Sequence, residues 1–279
     1  MNTFFSGRSC AIATQHEKEK VIAPIFEKIL GVSCERANVN TDQLWTFSGE
    51  IERKNDPVTT LKNKALLAVA QGYDLVIATE GSFGPHPAAF FLPAHEEMMI
   101  FYDAKNTLEI IEHTVSLNPC FHGDFISTHD ELRLFLKKIN FPDHAIILRR
   151  DEKDLQFLHK WITEERTLFE LFDEGIQQYK KLYIQTDMRA HKNLTRMKVI
   201  EELAQKLADR VATPCPACGT PWFGIVDVER WLPCRLCHLP TQSIQYDIYG
   251  CARCDFRTKK LHNPQKKTED PGYCSFCNP

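Results

Sequence analysis

Four Cys-x-x-Cys pairs within the last 65 residues constrain this 279-residue chain more than any other feature. They are Cys215/Cys218, Cys234/Cys237, Cys251/Cys254 and Cys274/Cys277. A spacer of two residues lets both sulfurs of a pair reach one point, and two such pairs supply the four thiolates that Zn²⁺ prefers. Eight cysteines therefore predict two zinc sites. Because a cage of four thiolates has no open position for water or substrate, both sites are expected to be structural.

Disulfides, redox pairs and iron–sulfur ligands are the other uses of such cysteine pairs. The sequence opens without the apolar core of a signal peptide, and no apolar run approaches the roughly 18 residues of a membrane helix. Both observations predict a cytoplasmic protein with no membrane contact, and a reducing cytosol favours zinc over disulfides. The spacing leaves open which pairs share an ion. Either neighbouring pairs combine, or the two inner pairs form one site and the two outer pairs the other.

Strand and helix patterns alternate along residues 1–211, ahead of the cysteine-rich segment 212–279. The alternation predicts an α/β body with a mixed, partly parallel sheet and flanking helices, followed by a small zinc-ribbon module. One helix is expected to begin at Thr14, where Glu17 completes a capping box, and another at Asp56.

Four further expectations concern the middle of the body. Two glycines and two prolines predict an irregular loop over residues 80–87, and a strand is expected to follow at 97–103. A helical pattern covers about 154–181. His95 and Glu97, with their neighbours, match no strict metal-ligand spacing and are expected to have surface or loop roles.

The carboxyl ends of two predicted strands carry the first candidate chemistry, because ligand sites of open α/β sheets lie there. Thr14 and Lys18 stand where a strand enters a helix, an arrangement that suits an anion such as phosphate. Glu80 ends a buried strand, and a carboxylate there suits Mg²⁺ held together with substrate phosphates. The alternatives are a plain helix cap and a carboxylate bonded to its own loop.

A second polar group, from Asp187 to Arg196, lies between a strand and a helix start. Arg189 and Arg196 could grip phosphate with two hydrogen bonds each, although a charged helix entry explains them equally well. The formal charge of −3 is too balanced to indicate a general nucleic-acid binder. A basic stretch over 257–267 could contact phosphates of nucleic acid, or it could be a solvated hairpin face.

Several motifs resemble an uncharacterised bacterial family along nearly the whole chain. They are Gly-Glu-Ile-Glu-Arg at 49–53, Glu-Gly-Ser-Phe-Gly-Pro-His-Pro at 80–87, Thr-Asp-Met-Arg-Ala-His at 186–191, and the closing Cys-x-x-Cys-Asn-Pro. This family has no assigned function, so the resemblance implies none.

Residues 10–110 are also similar to the inosine/xanthosine triphosphatases. A strand ending in Ala13-Thr14, the eight-residue interval from Asp56 to Lys64, and the strand Asp74–Glu80 carry the similarity. It implies Mg²⁺-dependent hydrolysis of noncanonical purine nucleotides, with Glu80 at the metal.

These observations together favour a Mg²⁺-dependent phosphohydrolase acting on a nucleotide or a related phosphate compound. Glu80 and Asp56 are its expected metal residues, and Thr14, Lys18 and Lys64 its expected phosphate contacts. The alternative is a non-enzymatic zinc-ribbon protein that binds nucleic acid or a protein partner, with the α/β body as a ligand sensor. A zinc-dependent enzyme is disfavoured because eight paired thiolates leave no open coordination position.

Overall fold

A computed structural model of the protein describes residues 4–44, 51, 54–86, 89–118, 120–155 and 157–279. Residues 49, 50, 52 and 53 of the first family motif, and Pro87 of the second, lie outside the described residues. The chain divides into two compact units, Met1–Ala208 and Asp209–Pro279, called unit 1 and unit 2 below. The expected division after residue 211 falls, like this one, within the last helix of the body.

The first half of unit 1 forms one mixed sheet. Its elements in chain order are β1 Ser9–Ala13, α1 Glu19–Leu30, β2 Ser33–Arg36, α2 Pro57–Val69, β3 Leu75–His86, β4 Ala89–Asp103 and β5 Leu108–Ser116. The strand order is β2-β1-β3-β4-β5. Strand β1 runs parallel to β2 and β3, whereas β3, β4 and β5 pair antiparallel. The predicted α/β class, with a partly parallel sheet and flanking helices, is therefore confirmed.

The second half of unit 1 forms a separate four-stranded sheet. Its elements are β6 Gly123–Ile126, α3 His129–Lys138, β7 Ile146–Arg149, β8 Leu158–Ile162, α4 Glu165–Tyr179, β9 Leu182–Thr186 and α5 Leu194–Ala212. The order is β6-β9-β7-β8, every pair is antiparallel, and β8 is an edge strand. Leu132 of α3 and Phe172 of α4 are buried in one core with Ile184 of β9.

Helices α1 and α2 cover opposite faces of the first sheet. Phe101 of β4 stacks on Phe26 of α1 with ring centroids 6.0 Å apart. The next residue back, Ile100, packs in a cluster with Leu61 of α2. Because successive strand side chains point to opposite faces, Thr79 of β3 faces α1 and Glu80 faces α2. This alternation decides which helix can reach each residue of the candidate site.

Unit 2 is built on three antiparallel strands, β10 Gly224–Arg230, β11 Ile244–Gly250 and β12 Arg257–Leu261. The four cysteine pairs lie outside these strands, two of them before β11 and two after it. The sheet has no fully buried face, since most of its residues are exposed or half-buried. A small module of this kind needs another source of stability, which metal sites can supply.

The prediction of an irregular loop over 80–87 was wrong for its described part. Strand β3 continues to His86, and β4 begins at Ala89 instead of 97, so the two form one long hairpin. Strand β1 pairs with β3 as far as Ala78. Beyond that point β4 is the strand that pairs with β3 in the described part of the chain, and Pro85 lies opposite Pro93. Proline is compatible with a strand at an irregular point of the ladder, and the β3–β4 register shifts between Pro85 and His86.

Two predicted helix boundaries were also wrong. Helix α1 begins at Glu19 and not at Thr14, because Glu17 has a left-handed backbone (φ 57°) that interrupts a helix. The helical pattern over 154–181 contains strand β8 before α4, since β8 pairs with β7. The start of α2 is confirmed: Asp56 accepts a hydrogen bond from the backbone N–H of Thr59, with Pro57 at the first position.

Candidate active site and metal centres

The turn after β1 brings Lys18 into the interior of unit 1. Thr14 follows the strand directly, is buried, and its Oγ1 accepts a hydrogen bond from the backbone N–H of His16 at 3.2 Å. Lys18 then occupies the position before the first residue of α1, where its side chain is 6% exposed. A lysine so deeply enclosed needs partners for its ammonium group.

Two lysines reach β3 from opposite faces of the sheet, next to the point where its parallel pairing with β1 ends. Lys18 Nζ donates to Oγ1 of Thr79 on the α1 face. Lys64 Nζ, from α2, donates to Oε2 of Glu80 and to the carbonyl oxygen of Thr79, the latter at 3.2 Å. The strand alternation that separates Thr79 from Glu80 thus gives each lysine its own side chain to bind.

A buried ion pair lies beside Lys18 and Thr79 on the α1 face of the sheet. Glu97 of β4 accepts two hydrogen bonds from Arg196 of α5, at 2.9 and 3.2 Å. His95 Nε2 lies 2.8 Å from the same carboxylate, and Lys18 Nζ lies 3.6 Å from it. Glu97 is fully enclosed and Arg196 is 1% exposed. Such a pair keeps its two charges compatible with burial, and removal of one partner would leave the other uncompensated.

A glycine makes room for this pair. A Cβ on Gly81 would lie 2.4 Å from Nη2 of Arg196 and 2.5 Å from Oε2 of Glu97. Gly81 is the residue directly opposite Glu97 in the β3–β4 ladder. Any other residue at this position would push against the ion pair, so glycine is required here by close approach.

Burial and neighbouring charges act in opposite directions on the pKa of Lys18 and on that of Glu97. Burial lowers the pKa of Lys18 from 10.5 to about 7, although Glu97 acts to raise it. Burial alone would raise the pKa of Glu97, but the charges of Arg196 and Lys18 hold it well below its usual range. Near neutral pH, Glu97 is therefore ionised and Lys18 is poised between its charged and neutral forms.

A partly exposed rim adjoins the buried group. Asp42 Oδ2 lies 3.5 Å from Nε2 of His16, and the His16 ring stacks on His191 with centroids 5.3 Å apart. Burial opposes the shift, but His16 and the charges of Lys64 and Arg189 lower the pKa of Asp42. Burial, together with the charge of His16, lowers the pKa of His191 to about 4. Burial lowers the pKa of His16 as well, so both histidines of the stack are neutral at pH 7.

The structure brings four predicted residues into this region. They are Thr14, Lys18, Lys64 and Glu80. Their assigned contacts to phosphate and metal stay predictions, because no finding tests them.

The other three predicted residues have different surroundings. Arg196 joins the group through Glu97, with its guanidinium engaged in the ion pair. Arg189 donates to Asp187 from its Nε at 2.9 Å and from its backbone N–H at 3.1 Å. Asp56 is exposed at the cap of α2. The three thus have protein partners of their own, and ligand roles would require those partners to be shared.

The expectation of surface or loop roles for His95 and Glu97 was wrong. Both lie in β4 and are buried, at 1% and 0% exposure. Arg196, the partner of Glu97, is 99 positions away along the chain, so no local pattern could reveal the pair. The available signal was the excess of ionisable residues in a strand that pairs on both sides.

The eight cysteines of unit 2 form two compact groups of four. In one, Cys215 and Cys254 have sulfurs 3.8 Å apart and Cys218 and Cys251 have sulfurs 3.6 Å apart. In each group all four sulfurs lie within 4.8 Å of one another. Sulfurs placed about 2.3 Å from a central Zn²⁺ in a tetrahedron are about 3.8 Å apart. Each group could therefore hold a zinc ion.

Neither pairing suggested by the spacing is formed. The first Cys-x-x-Cys pair combines with the third, and the second combines with the fourth, Cys234/Cys237 with Cys274/Cys277. The reason lies in β11, which separates the second pair from the third and pairs with both β10 and β12. The loop lengths between the pairs do not predict which pairs share a cage, because the pairing of the strands determines it.

A family model described as "Domain of unknown function (DUF6671)" matches residues 64–279. The chain belongs to this family. The match includes Lys64, Glu80, Glu97, Arg196 and all eight paired cysteines, and it begins after Thr14 and Lys18. It supports the resemblance to an uncharacterised family over that range.

Other comparisons add little. No curated protein matches the chain. Among solved structures, the crystal structure of protein VC0702 from Vibrio cholerae is similar at 12% identity, over 71% of this chain and 92% of that one. Its TM-score of 0.34 is too low to carry an argument. Among the described helices, none has both the length and the apolar character needed to cross a membrane.

Proposed function

We propose that unit 1 is a Mg²⁺-dependent phosphohydrolase acting on a nucleotide or a related phosphate compound. The observation that carries the proposal is the meeting of Lys18 and Lys64 at Thr79 and Glu80. This point is the carboxyl end of the parallel β1–β3 pair, where ligands of α/β sheets bind. The comparisons give no support to the similarity of residues 10–110 to inosine/xanthosine triphosphatases, so the proposal rests on the geometry.

The charges of the group suit an anionic substrate. With Lys18 protonated, three cations (Lys18, Lys64 and Arg196) face the carboxylates of Glu80 and Glu97, which leaves one formal positive charge. Enclosure strengthens the attraction for an anion, because the effective dielectric is lower than in water. The partial neutrality of Lys18 adds a proton step: an anion beside it raises its proton affinity, so binding near pH 7 takes up a proton.

The donor set fits a magnesium ion. Glu80 carries a carboxylate bonded to Lys64, and the charge of Lys64 also acts on the carboxylate of Asp42. One or two carboxylates plus substrate phosphates are the usual ligands of protein-bound Mg²⁺. When bound, the ion would neutralise charge developing on the phosphoryl oxygens and orient an attacking water. Lys18 and Lys64 would contact the phosphate. Asp56, predicted as a second metal residue, uses its carboxylate to cap α2.

Substitution of Glu80 tests the proposal. Product release is measured from a panel of nucleoside triphosphates and noncanonical analogues with Mg²⁺, for the native protein and for Glu80→Gln. We expect selective turnover that falls at least 100-fold in Glu80→Gln, since the amide removes the metal's carboxylate ligand.

The same helix offers a matched control. Lys62 of α2 binds Glu109 at 2.5 Å in an exposed pair, two residues from Lys64. Glu109→Gln also removes a lysine partner from α2, yet lies outside the candidate site, and it should retain native turnover. Retained turnover in Glu80→Gln, or equal loss in both variants, would contradict the assignment.

For unit 2 we propose two bound Zn²⁺ ions with structural roles. The sulfur separations match those around zinc, and a small sheet without a buried face gains stability from metal. A cytoplasmic location, which keeps thiols reduced, is part of the same proposal. Metal analysis of the purified protein should give two zinc ions per chain.

A second candidate function is a contact between unit 2 and nucleic acid. Lys259 lies 4.4 Å from the ring centroid of Tyr246, and Lys260 lies 4.7 Å from that of Tyr249. Aromatic rings interleaved with lysines form stacking surfaces for single-stranded nucleic acid. Lys259 also pairs with Glu229 at 3.2 Å, which reduces its charge available to phosphates. Affinity for oligonucleotides should fall with salt and with Lys260→Gln; salt-insensitive or absent binding would oppose this function.

A further inference from the structure

Trp161 is displayed by an irregularity in the edge strand β8. Ile146 pairs with Ile162 and Leu148 pairs with His159, so two residues of β8 lie opposite one residue of β7. Trp161 is one of these two, and its backbone is left-handed, with φ 66°. A left-handed conformation is unfavourable for a residue with a large side chain. Bulges of this kind turn a side chain in a new direction and are frequent beside functional sites.

The displayed ring lies against a fixed cation. The guanidinium carbon of Arg189 lies 4.9 Å from the centroid of the Trp161 ring. Asp187 fixes that guanidinium, so the stack has a rigid back. Trp161 nevertheless keeps 55% of its surface exposed. Lys160 Nζ lies 5.7 Å from the ring centroid, near the outer limit of such contacts.

We propose that the exposed ring of Trp161, backed by Arg189, is a stacking platform for the base of a nucleoside phosphate. The proposal rests on the function proposed for Lys18, Lys64 and Glu80, and it adds the substrate class: compounds that carry a nucleobase, in preference to bare polyphosphates.

The cleft around Trp161 has the size and lining for such a group. Its volume is about 520 Å³, within the range of roughly 300–1,000 Å³ common for small-molecule sites. His159, Thr163, Glu164 and Thr167 line it together with Trp161. Their side chains offer hydrogen-bond donors and acceptors for the edge of a base, as a stacked base requires.

Arg189 connects the platform with the phosphate site. Its charge acts on Asp42 and on His191, two residues of the rim. His191 follows Arg189 by two positions in the same short helical turn and stacks on His16. The platform is thus a neighbour of the rim, and the phosphates of a ligand stacked on Trp161 would extend toward the lysines.

Binding of three kinds of probe tests the platform. Equilibrium affinities are measured for nucleoside triphosphates, for inorganic tripolyphosphate and for unphosphorylated nucleosides, all with Mg²⁺. Trp161→Ala should weaken the nucleoside triphosphates by about 5- to 150-fold, the range expected for loss of one stacked base. It should leave tripolyphosphate unchanged, and Trp161→Phe, which keeps a ring, should restore most of the affinity.

Trp231 supplies the matched control. It is 54% exposed and left-handed at φ 89°, close to the values of Trp161, but it belongs to unit 2. Trp231→Ala should leave every affinity unchanged. Thermal unfolding of each variant shows whether it is folded.

The probes separate failure of the platform from failure of the proposed function. If tripolyphosphate binds and nucleoside triphosphates bind no more tightly, or Trp161→Ala has no effect, the platform is refuted while the phosphate site stands. If nucleosides bind through Trp161 but tripolyphosphate does not bind, the platform stands and the phosphohydrolase is refuted. Absence of binding by all three probes would refute both.

Discussion

The contact between Gly81 and the Glu97–Arg196 ion pair leads to a quantitative prediction. In Gly81→Ala, the new Cβ would lie 2.4 Å from Arg196 Nη2 and 2.5 Å from Glu97 Oε2. Ordinary contacts of a Cβ begin at 3.4 Å, so both charged ends must retreat by about 1 Å. The pair is buried and its hydrogen bonds are 2.9 and 3.2 Å long, so this movement separates or misaligns them.

The expected loss of stability follows from known costs. Disruption of a buried ion pair typically costs about 3–5 kcal/mol. Alanine restricts the unfolded chain more than glycine does, which restores about 0.4–1 kcal/mol. The net decrease in the free energy of unfolding of unit 1 is therefore about 2–4 kcal/mol. For a unit of this size, each kcal/mol lowers Tm by about 2–4 °C, so Tm should fall by about 5–15 °C.

A second glycine of the same strand provides the control. A Cβ on Gly84 would meet no atom within 4 Å. Gly84→Ala should therefore change the free energy of unfolding by no more than about 0.5 kcal/mol. Calorimetry and urea unfolding of both variants at pH 7 measure the difference. Equal stabilities of Gly81→Ala and Gly84→Ala would refute the conclusion that the ion pair requires a glycine at position 81.

Two further predictions concern the metal centres and Lys18. The double variant Cys215→Ser/Cys251→Ser removes two ligands of one cage and should lower the zinc content from two ions to one. The double variant Cys215→Ser/Cys234→Ser removes one ligand from each cage and should empty both cages. If the first variant loses both ions and the second loses one, neighbouring pairs share an ion instead. The second prediction uses sulfate as an anion whose charge is constant above pH 7. Lys18 has a pKa of about 7 and loses its proton as the pH rises, so the affinity of unit 1 for sulfate should fall by up to tenfold per pH unit from pH 7 upward. Titration calorimetry at several pH values should show this fall in sulfate affinity for the native protein and no such fall for Lys18→Met. An identical pH dependence in both proteins would exclude Lys18 as the titrating group.

Local sequence patterns predicted most of the fold and failed where distant pairing decides. The alternation of strands and helices gave the mixed sheet, and Asp56 with Pro57 gave the start of α2. The β3–β4 hairpin was missed because Gly81 and Pro85 are signals of irregular backbone. The strand accommodates them through long-range features: Gly81 lies opposite Glu97, and the β3–β4 register shifts beside Pro85.

In the candidate site, too, local patterns predicted some residues, and long-range pairing concealed others. Lys18, Lys64 and Glu80 were predicted from their places at strand ends and on helices. Glu97 was missed because its partner Arg196 comes from another sheet's helix. The cysteine spacing likewise predicted the ligands and their number, but the partners depend on the order of strands in unit 2.

The alternating use of cysteine pairs has a consequence for metal uptake. The two cages close loops with contacts 33 to 43 positions apart, and each loop contains half of the other cage. Filling the first cage fixes part of the chain that the second must still close, and shorter free loops lose less entropy on closure. The second zinc ion should therefore bind more tightly than the first. A chelator should correspondingly remove the remaining ion more easily once the first has gone.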